Sequence, residues 1–576
     1  MDDLLRQTLC QIIKQDHSLH NNQDRCRAML CDLRPEPRYH QGIEAIVAAM
    51  QQRIPARLLA LPKNSLSKKQ LETLSKKMQS NQALSEDIAQ WVIESWAQAL
   101  QVQVVQTNKS GMKFKKPLLY GIIACLLLTA GGTFVVYRNF SSEGITEAKW
   151  EAERFSRGQR TLFPGDGNTS RDLGIVALQN ENYSEAVQLF ERAVTADRND
   201  PEVLIYYNNA RARQQGSPLT LAVVVPVDNR GTSAKEMLRG VAQAQDQFND
   251  SMGLNGRLLE IVIANDGNEP AKATQVAKEL VNDKSIIGVI GHNASSASKA
   301  GLAEYEKANL AIISPTSTST SLTSEVFFRT VPSDAAAGKK LASYAKNTIG
   351  IDNVVIFYNP NSSYSRSLKE SFQENFVDQL GGKITRTIDL SDPNLDVWAE
   401  VSTTVLQERV KVALLFPDSK FTSVAIEITQ ANSQIPKEQR LKWLGGDALY
   451  SPTTLKAGGV AVEGLVLAVP WFVKLPQAED FSTIAKKQWG GLVNWRTATS
   501  FDATQAFIKA LLLSNNPSRA TVLEKLLEVN LAASETSGVS LQFTEKGERE
   551  SEPILVEVAR GGVRPPESEV GFDLVN

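Results

Sequence analysis

Cysteine and histidine are scarce in this chain, and most of its length has almost none of either. The 576 residues include four cysteines, none of them after Cys125, and four histidines, of which only His292 follows His40. A disulfide framework is therefore excluded from the large C-terminal part. The same part has too few ligands for a zinc site, and a Ser-His-Asp triad there would have to use His292.

The other histidines and three of the cysteines cluster in the first 40 residues, which makes a metal site one alternative there. His17 and His20 with Cys26 and Cys31 do not follow the tight CxxC-type spacing of a zinc site. Cys26 also falls in an amphipathic helical pattern, where a thiol packs like a small apolar side chain. We expect a packing role, with no metal and no cofactor.

Catalysis in the large domain is not expected either. His292 lies in GHNAS, which is not a nucleophile elbow, and it is poorly placed at a turn to act as a base for Ser295. GVIGHNAS also lacks the dinucleotide fingerprint. We expect the His292 side chain to be incidental to a turn and the protein not to be an enzyme.

Neither sign of charge is in excess. The chain has 62 Lys and Arg against 64 Asp and Glu, a formal net charge of −2 and a pI near 6.2. Nucleic-acid binding therefore has no electrostatic footprint here. The chain is too long for a single core, which predicts several domains.

One long stretch lacks charge altogether. Residues 117–137 contain no charged side chain, and a helix of that length, at about 1.5 Å per residue, spans a hydrocarbon core of about 30 Å. The flanking basic residues are Lys109, Lys113, Lys115 and Lys116 before it, against Arg138 and Lys149 after it. This bias predicts a single-pass transmembrane helix, with the N-terminus in the cytoplasm and the C-terminal part outside.

Helical patterns lie on both sides of this stretch. Residues 1–107 hold apolar side chains at helical spacing, typical of a small all-α domain, and AQWVIESWAQAL resembles a helical domain that recurs beside bacterial signalling and effector modules. The polar residues 138–170 are interpreted as a linker. Residues 171–215 resemble one tetratricopeptide unit, which predicts a helical hairpin packed on the next domain or on another chain.

From residue 219 onward, strand patterns alternate with helix patterns. The apolar runs LTLAVVVPV, LLEIVIAND, SIIGVIG and NLAIISP predict strands, with helices over residues 234–250, 271–282 and 295–307 between them. A second set begins at NVVIFYN and continues through KVALLFPD, KWLGGD and GLVLAVP. The alternation predicts an α/β fold with two doubly wound lobes over residues 218–576.

Hydroxyl side chains follow two neighbouring strands of the first set. Ser295 and Ser296 come after one strand, and Thr316, Ser317 and Thr318 come after the next. In an open parallel sheet, ligands lie at the carboxyl ends of the strands, where helix N-termini attract anions. We therefore expect these side chains to line one ligand-binding crevice.

Three motifs carry a resemblance to a known family. GHNASS, ISPTSTSTSLT and FFRTVPSD, in this order and spacing, resemble the bacterial periplasmic binding proteins of the leucine/isoleucine/valine type, the type I two-lobed receptors that serve ABC importers. The resemblance covers residue 218 to the C-terminus. It implies a hinge between the lobes, an amino-acid ligand, and a bacterial inner (plasma) membrane location with the large domain periplasmic.

The resemblance also implies roles for single residues. Ser295 and Thr318 match residues that bind the carboxylate of an amino acid, and Asp447 in LGGD matches an acid that takes the ammonium group. Tyr364 in NPNSSYS matches a tyrosine that closes over the ligand, although Ser365 follows it where the family has Gly. Two alternatives stay open: Ser295 as the N-cap of its helix, and Asp447 as a turn residue at a strand end.

These observations lead to three hypotheses. The first is a membrane-anchored protein that binds an amino acid or similar zwitterion for an ABC permease. The second is a sensor that passes lobe closure through the transmembrane helix to a cytoplasmic signalling partner. The retained N-terminal domain favours the sensor, whereas the family resemblance favours transport. The third is an assembly protein whose cleft binds no ligand.

Overall fold

The computed structural model describes residues 154–163 and 168–575 and, nearer the N-terminus, residues 3–15, 19, 26–27, 29–30, 37–51, 54–59, 65–67, 70–71, 74–75, 86–100 and 102–105. Two compact units divide the chain, Met1–Val136 and Tyr137–Asn576. The predicted transmembrane segment, residues 117–137, lies outside the described residues. Among those described, no helix combines the length and the apolar character needed to cross a bilayer.

The first unit consists of helices around an apolar core. Its elements are α1 (Asp3–Gln15), α2 (Pro37–Gln51), α3 (Ile54–Leu59), the parallel pair β1 (Ser65–Ser67) and β2 (Gln103–Val105), and α4 (Glu86–Ala99). Ile12, Ile46 and Val92 are buried in its core. Trp96 donates its indole N–H to the Ile46 carbonyl at 3.1 Å. Burial raises the pKa of the Cys26 thiol to about 12, which is the chemistry of an inert packing thiol.

The second unit begins with a short strand and three helices. These elements are β3 (Phe155–Ser156), α5 (Thr169–Gln179), α6 (Tyr183–Ala196) and α7 (Pro201–Gln215). Phe190 of α6 packs against Tyr206 of α7, with ring centroids 5.9 Å apart. The sequence predicts a two-helix hairpin over residues 171–215; three helices are present because Asp200 caps a further one.

Lobe 1 contains a six-stranded sheet. Its consecutive elements are β4 (Leu219–Val225), α8 (Val227–Asp250), β5 (Leu259–Asn265), α9 (Pro270–Asn282), β6 (Ile286–Ile290), α10 (Ser295–Lys307), β7 (Ile312–Ser314) and β8 (Phe327–Arg329). The strand order is β3-β5-β4-β6-β7-β8, and every neighbouring pair is parallel except β3 with β5. Strands β4 and β5 are buried along their whole length, which explains their continuous apolar runs in the sequence.

Lobe 2 follows with alternating helices and strands. Its elements are α11 (Asp334–Ser343), β9 (Asn353–Tyr358), α12 (Ser363–Gln373), β10 (Lys383–Asp389), α13 (Val397–Ser402), β11 (Val412–Phe416), α14 (Thr422–Ser433), β12 (Lys442–Gly445), α15 (Pro452–Gly458) and β13 (Val466–Val469). Strands β10-β9-β11-β12-β13 lie side by side in that order and are parallel.

The chain then returns to lobe 1 and ends in lobe 2. The returning elements are α16 (Glu479–Trp489), α17 (Trp495–Leu513), α18 (Arg519–Leu526) and the hairpin β14 (Asn530–Leu531) and β15 (Leu541–Gln542). The last strands, β16 (Ile554–Arg560) and β17 (Val570–Leu574), extend the lobe 2 sheet beyond β13 in antiparallel fashion. Both lobes are therefore open α/β sheets, as predicted.

Three segments join the lobes, at residues 330–333, 470–478 and 549–553. The Arg549 guanidinium donates to the Thr330 carbonyl at 3.1 Å and to the carboxylate of Asp502, on α17, at 2.7 Å. The Asp502 and Arg549 side chains are 0% and 5% exposed. Loss of either partner would leave a buried charge unmet, so this ion pair fixes the hinge to lobe 1.

Part of the predicted linker belongs to lobe 1. Within residues 138–170, the stretch 154–163 adds β3 to the edge of the sheet. Arg154 donates to the Asp228 carboxylate at 2.8 Å, and Arg157 forms an ion pair with the buried carboxylate of Glu260. A two-residue strand has no periodicity that a sequence pattern could detect, which explains why it was missed.

Candidate functional site

The carboxyl ends of β4 to β7 face those of β9 to β12 across a cleft of about 740 Å³. This is the position at which open α/β sheets bind ligands. Five asparagines line it, namely Asn229, Asn268, Asn293, Asn359 and Asn361. Of the predicted site residues, those that line it are Ser295, Ser296, Thr316, Tyr364 and Asp447.

On the lobe 1 wall, Ser295 and Ser296 form the first turn of α10. The N-cap of this helix is Ala294, so Ser295 is not the N-cap. The Ser295 hydroxyl instead accepts from the backbone N–H of Ser319 at 3.3 Å. This leaves its own proton, and the N–H groups of the first helical turn, for an anion in the cleft.

The three hydroxyl residues after β7 lie in different places. Thr316 lines the cleft and donates its hydroxyl to the His292 carbonyl at 3.1 Å. Ser317 is fully buried, and its hydroxyl donates to the same carbonyl at 3.3 Å. Thr318 lies below the cleft, where it borders a small void with Asp334. The structure therefore does not bring Ser317 and Thr318 into the cleft, because the turn folds back onto lobe 1.

On the lobe 2 wall, Tyr364 and Asp447 meet. Tyr364, in the first turn of α12, donates its hydroxyl to Asp447 Oδ1 at 2.6 Å. Burial raises the pKa of Asp447, while the Tyr364 hydrogen bond acts in the opposite direction. A Cβ at the preceding Gly446 would lie 2.3 Å from the Tyr364 hydroxyl, so this contact requires glycine.

A sequence profile described as Periplasmic binding protein matches residues 218–562, which contain both lobes and the cleft. The chain belongs to the periplasmic binding protein family. The family consists of substrate-binding proteins, which agrees with the expectation that the chain is not an enzyme.

Curated relatives match parts of this periplasmic binding protein. The leucine-, isoleucine-, valine-, threonine- and alanine-binding protein of Pseudomonas aeruginosa is 33% identical over 142 residues, 23% of this chain and 38% of that protein. The leucine-specific-binding protein of Salmonella typhimurium is 24% identical over 234 residues, 40% of this chain and 61% of that protein. The chain thus spans less than two thirds of these relatives.

Solved structures match the fold more completely. A leucine binding protein (LivK) from Thermotoga maritima has a TM-score of 0.54 at 20% identity and covers 62% of this chain and 98% of its own. The branched-chain amino acid transporter substrate binding protein LivJ from Streptococcus pneumoniae, in complex with isoleucine, has a TM-score of 0.54 at 16% identity and covers 62% and 99%. These likenesses confirm the type I periplasmic-binding fold.

The histidine of this binding protein domain has a structural role. His292 Nδ1 lies 2.7 Å from Asp266 Oδ2, and Nε2 lies 3.0 Å from the Tyr305 hydroxyl. All three side chains are fully buried. The expectation that His292 is incidental is therefore wrong: the ring is buried in lobe 1, where it joins Asp266 and Tyr305 and is closed to any substrate.

Sequence reasoning missed two arginines of the cleft wall, Arg230 and Arg496. Arg230 lies at a kink inside α8, with φ −145° and ψ 53°. Arg496 stacks on the ring of Trp495, 4.3 Å from its centroid. Burial lowers the pKa of both guanidinium groups. One signal was available, because Asn494 caps α17 and so places Arg496 in its first turn.

A second acid lies beneath Asp447. Asp334 begins α11, is 1% exposed, and borders the same small void as Asp447. Burial raises the pKa of Asp334 to about 7, and the Asp447 carboxylate acts in the same direction. The unfolded chain, in which aspartate titrates near about 3.9, releases this proton at lower pH than the folded protein. The contribution of Asp334 to the free energy of unfolding should therefore fall as the pH rises from about 4 to about 7.

We expect Asp334 to stabilise the full-length protein more at pH 5 than at pH 7.5, by up to about 1.4 kcal/mol per pH unit between its two pKa values. Asp334→Asn should flatten the pH dependence of chemical denaturation. The exposed Asp378→Asn, on the same lobe, serves as the control and should leave it unchanged. An equal slope in wild type and Asp334→Asn would mean that Asp334 titrates normally in the folded protein.

Proposed function

We propose that residues 218–576 bind an amino acid or a similar small zwitterion between the two lobes and carry out no chemistry. The observation that supports this most strongly is the opposition of charge across the cleft. The lobe 1 wall presents a helix N-terminus and hydroxyls, which suit a carboxylate, and the lobe 2 wall presents Asp447, which suits an ammonium group. A zwitterion satisfies both walls at once.

Each predicted residue then has a role in the proposed complex. Ser295, Ser296 and Thr316 would bind the ligand carboxylate together with the first-turn N–H groups of α10. Asp447 would bind the ammonium group of the ligand. Tyr364 would position the Asp447 carboxylate and cover the ligand. Thr318 would not contact the ligand. Its carbonyl accepts a hydrogen bond from the Asp334 N–H at 2.8 Å, and this bond joins the two lobes beneath the ligand.

Asp447→Ala should abolish recognition of the amino group. Removing one partner of a buried, hydrogen-bonded charge pair costs about 2 to 5 kcal/mol, so calorimetry should show affinity weakened by roughly thirty-fold to a few thousand-fold. Ser295→Ala should cost less, because the helix N–H groups remain. The exposed Asp378→Ala is the control. Equal affinity in wild type and Asp447→Ala would refute the amino-acid assignment.

We also propose that the chain is anchored in the bacterial inner membrane by residues 117–137, with residues 1–107 in the cytoplasm and the large domain in the periplasm. The lysines before the uncharged stretch support this orientation. Protease added to intact spheroplasts should degrade the large domain and spare the N-terminal domain. Protection of the large domain would reverse the topology.

The first proposed role of this binding domain is transport with an ABC permease, because relatives of this family are named as transporter components. A sensor is the second, and one observation favours it. Arg154, close after the proposed membrane helix, donates to Asp228 at 2.8 Å. Asp228 does not line the cleft but precedes Asn229 and Arg230, which do, so the described stretch that begins at Arg154 contacts lobe 1 beside the ligand site.

Deleting residues 2–105 separates these two roles. A sensor should keep its ligand affinity and lose its cellular response, with uptake of labelled amino acid unaffected. A transport component should show loss of uptake when residues 218–576 are deleted, and no response that depends on the N-terminal domain. If no amino acid binds the full-length chain and neither deletion changes uptake or response, the results support the third hypothesis, an assembly protein whose cleft binds no ligand.

A further inference from the structure

Arg496 lines the cleft and has no salt-bridge partner in the described part of the chain. Its Nε is buried without a hydrogen-bond partner. The acids whose charge reaches it are Asp447 and Glu236. Glu236 is already paired with Arg239 at 2.5 Å, and Asp447 accepts from Tyr364. Asp447 and Glu236 thus act on Arg496 only at a distance, and no carboxylate among the described residues forms a salt bridge with this guanidinium.

Arg230 likewise has no salt bridge among the described residues. It is half-buried on the lobe 1 wall, and its side chain forms no hydrogen bond with any of them. Asp418, across the cleft on lobe 2, is the acid whose charge reaches it. Asp418 accepts a hydrogen bond from the Asn359 amide at 3.2 Å and forms no salt bridge with Arg230. The partly buried guanidinium groups of Arg230 and Arg496 thus both line the cleft from lobe 1.

The remaining charges of the cleft wall have partners or face water. Glu269 pairs with Lys272 at 2.8 Å. Lys420 is exposed, and its ammonium group lies 5.4 Å from the centre of the Phe421 ring. Neither group neutralises the two arginines.

The apolar part of the cleft lining is aromatic, from Tyr364, Phe421 and Trp495. None of the described residues that line it is a leucine, isoleucine, valine or methionine. Apolar side chains bind where apolar walls exclude water, whereas amide and guanidinium groups lose hydrogen bonds when an apolar group displaces water from them. The described wall therefore offers a leucine side chain aromatic rings but no aliphatic partner, whereas it offers a second anion two guanidinium groups.

From these observations we infer that the ligand carries a second anionic group, bound by Arg230 and Arg496, so that its class is an acidic amino acid or a dicarboxylate of similar length. A desolvated cation is costly unless an anion meets it, and guanidinium binds carboxylate through two parallel N–H···O bonds. The inference rests on the proposed function, since it names the ligand class of the same cleft.

Calorimetry on the full-length chain with four probes tests the inference. L-glutamate and L-glutamine have nearly the same shape and differ in one negative charge, glutarate lacks the amino group, and L-leucine is apolar. L-glutamate should bind tightest, with L-glutamine weaker by roughly ten- to hundred-fold, the loss expected for a hydrogen-bonded charge. Raising the salt concentration should weaken L-glutamate more than L-glutamine.

Arg230→Gln and Arg496→Gln give a readout that lost folding cannot imitate. Each should weaken L-glutamate by about tenfold or more while leaving L-glutamine within about threefold, because the amide does not need the charge. Lys278→Gln, which removes an exposed cation of α9, is the matched control and should change neither affinity. Equal weakening of both ligands would mean that the arginines serve lobe closure, for example Arg230 onto Asp418, and would overturn the inference.

The probe series keeps this inference separate from the proposed function. If L-leucine or L-glutamine binds as tightly as L-glutamate, the anionic class is wrong and amino-acid binding stands. If glutarate binds and L-glutamate does not, the anionic class stands and the amino-group assignment fails. If none of the four binds, both are overturned.

Discussion

A charge that leaves water must be met by an opposite charge or by hydrogen bonds, and this constraint separates the fixed parts of the large domain from the part that awaits a ligand. At the hinge, Arg549 is met by Asp502 within the protein, at 2.7 Å. In the cleft, Asp447 is met in part by Tyr364, whereas Arg230 and Arg496 have no such partner among the described residues. The hinge ion pair is therefore formed without a ligand, whereas the two cleft arginines have no salt bridge in the part of the chain that the structure describes.

The two lobes already touch through neutral hydrogen bonds. Asn268 donates to the Ser419 hydroxyl at 3.1 Å near the cleft mouth, and the Thr320 N–H donates to the Ser367 hydroxyl at 2.9 Å near its base. Bonds of this kind contribute about 1 kcal/mol each in water, so they hold the lobes only loosely. A ligand that joins a cationic wall to an acidic wall supplies a larger free energy, which is why binding can control closure.

Much of the fold could be predicted from sequence because its strands are buried on both faces and therefore appear as apolar runs between helical patterns. Tyr364 and Asp447 were found because each lies in a motif beside a strand end. Arg230 and Arg496 were not, since a kink inside α8 and the capped start of α17 bring them to the cleft from positions 266 residues apart in sequence. The cap at Asn494 indicates that Arg496 begins a helix, but only the tertiary packing brings that helix start to the cleft.

Hydrogen–deuterium exchange of the full-length chain, with and without saturating L-glutamate, tests most directly whether a small charged solute binds between the lobes. We expect L-glutamate to slow exchange on both lobes together: in the first turn of α10 on lobe 1, and at Tyr364, its neighbours and residues 447–449 on lobe 2. L-leucine should protect these amides less. Unchanged exchange with both amino acids, or protection confined to one lobe, would contradict the account.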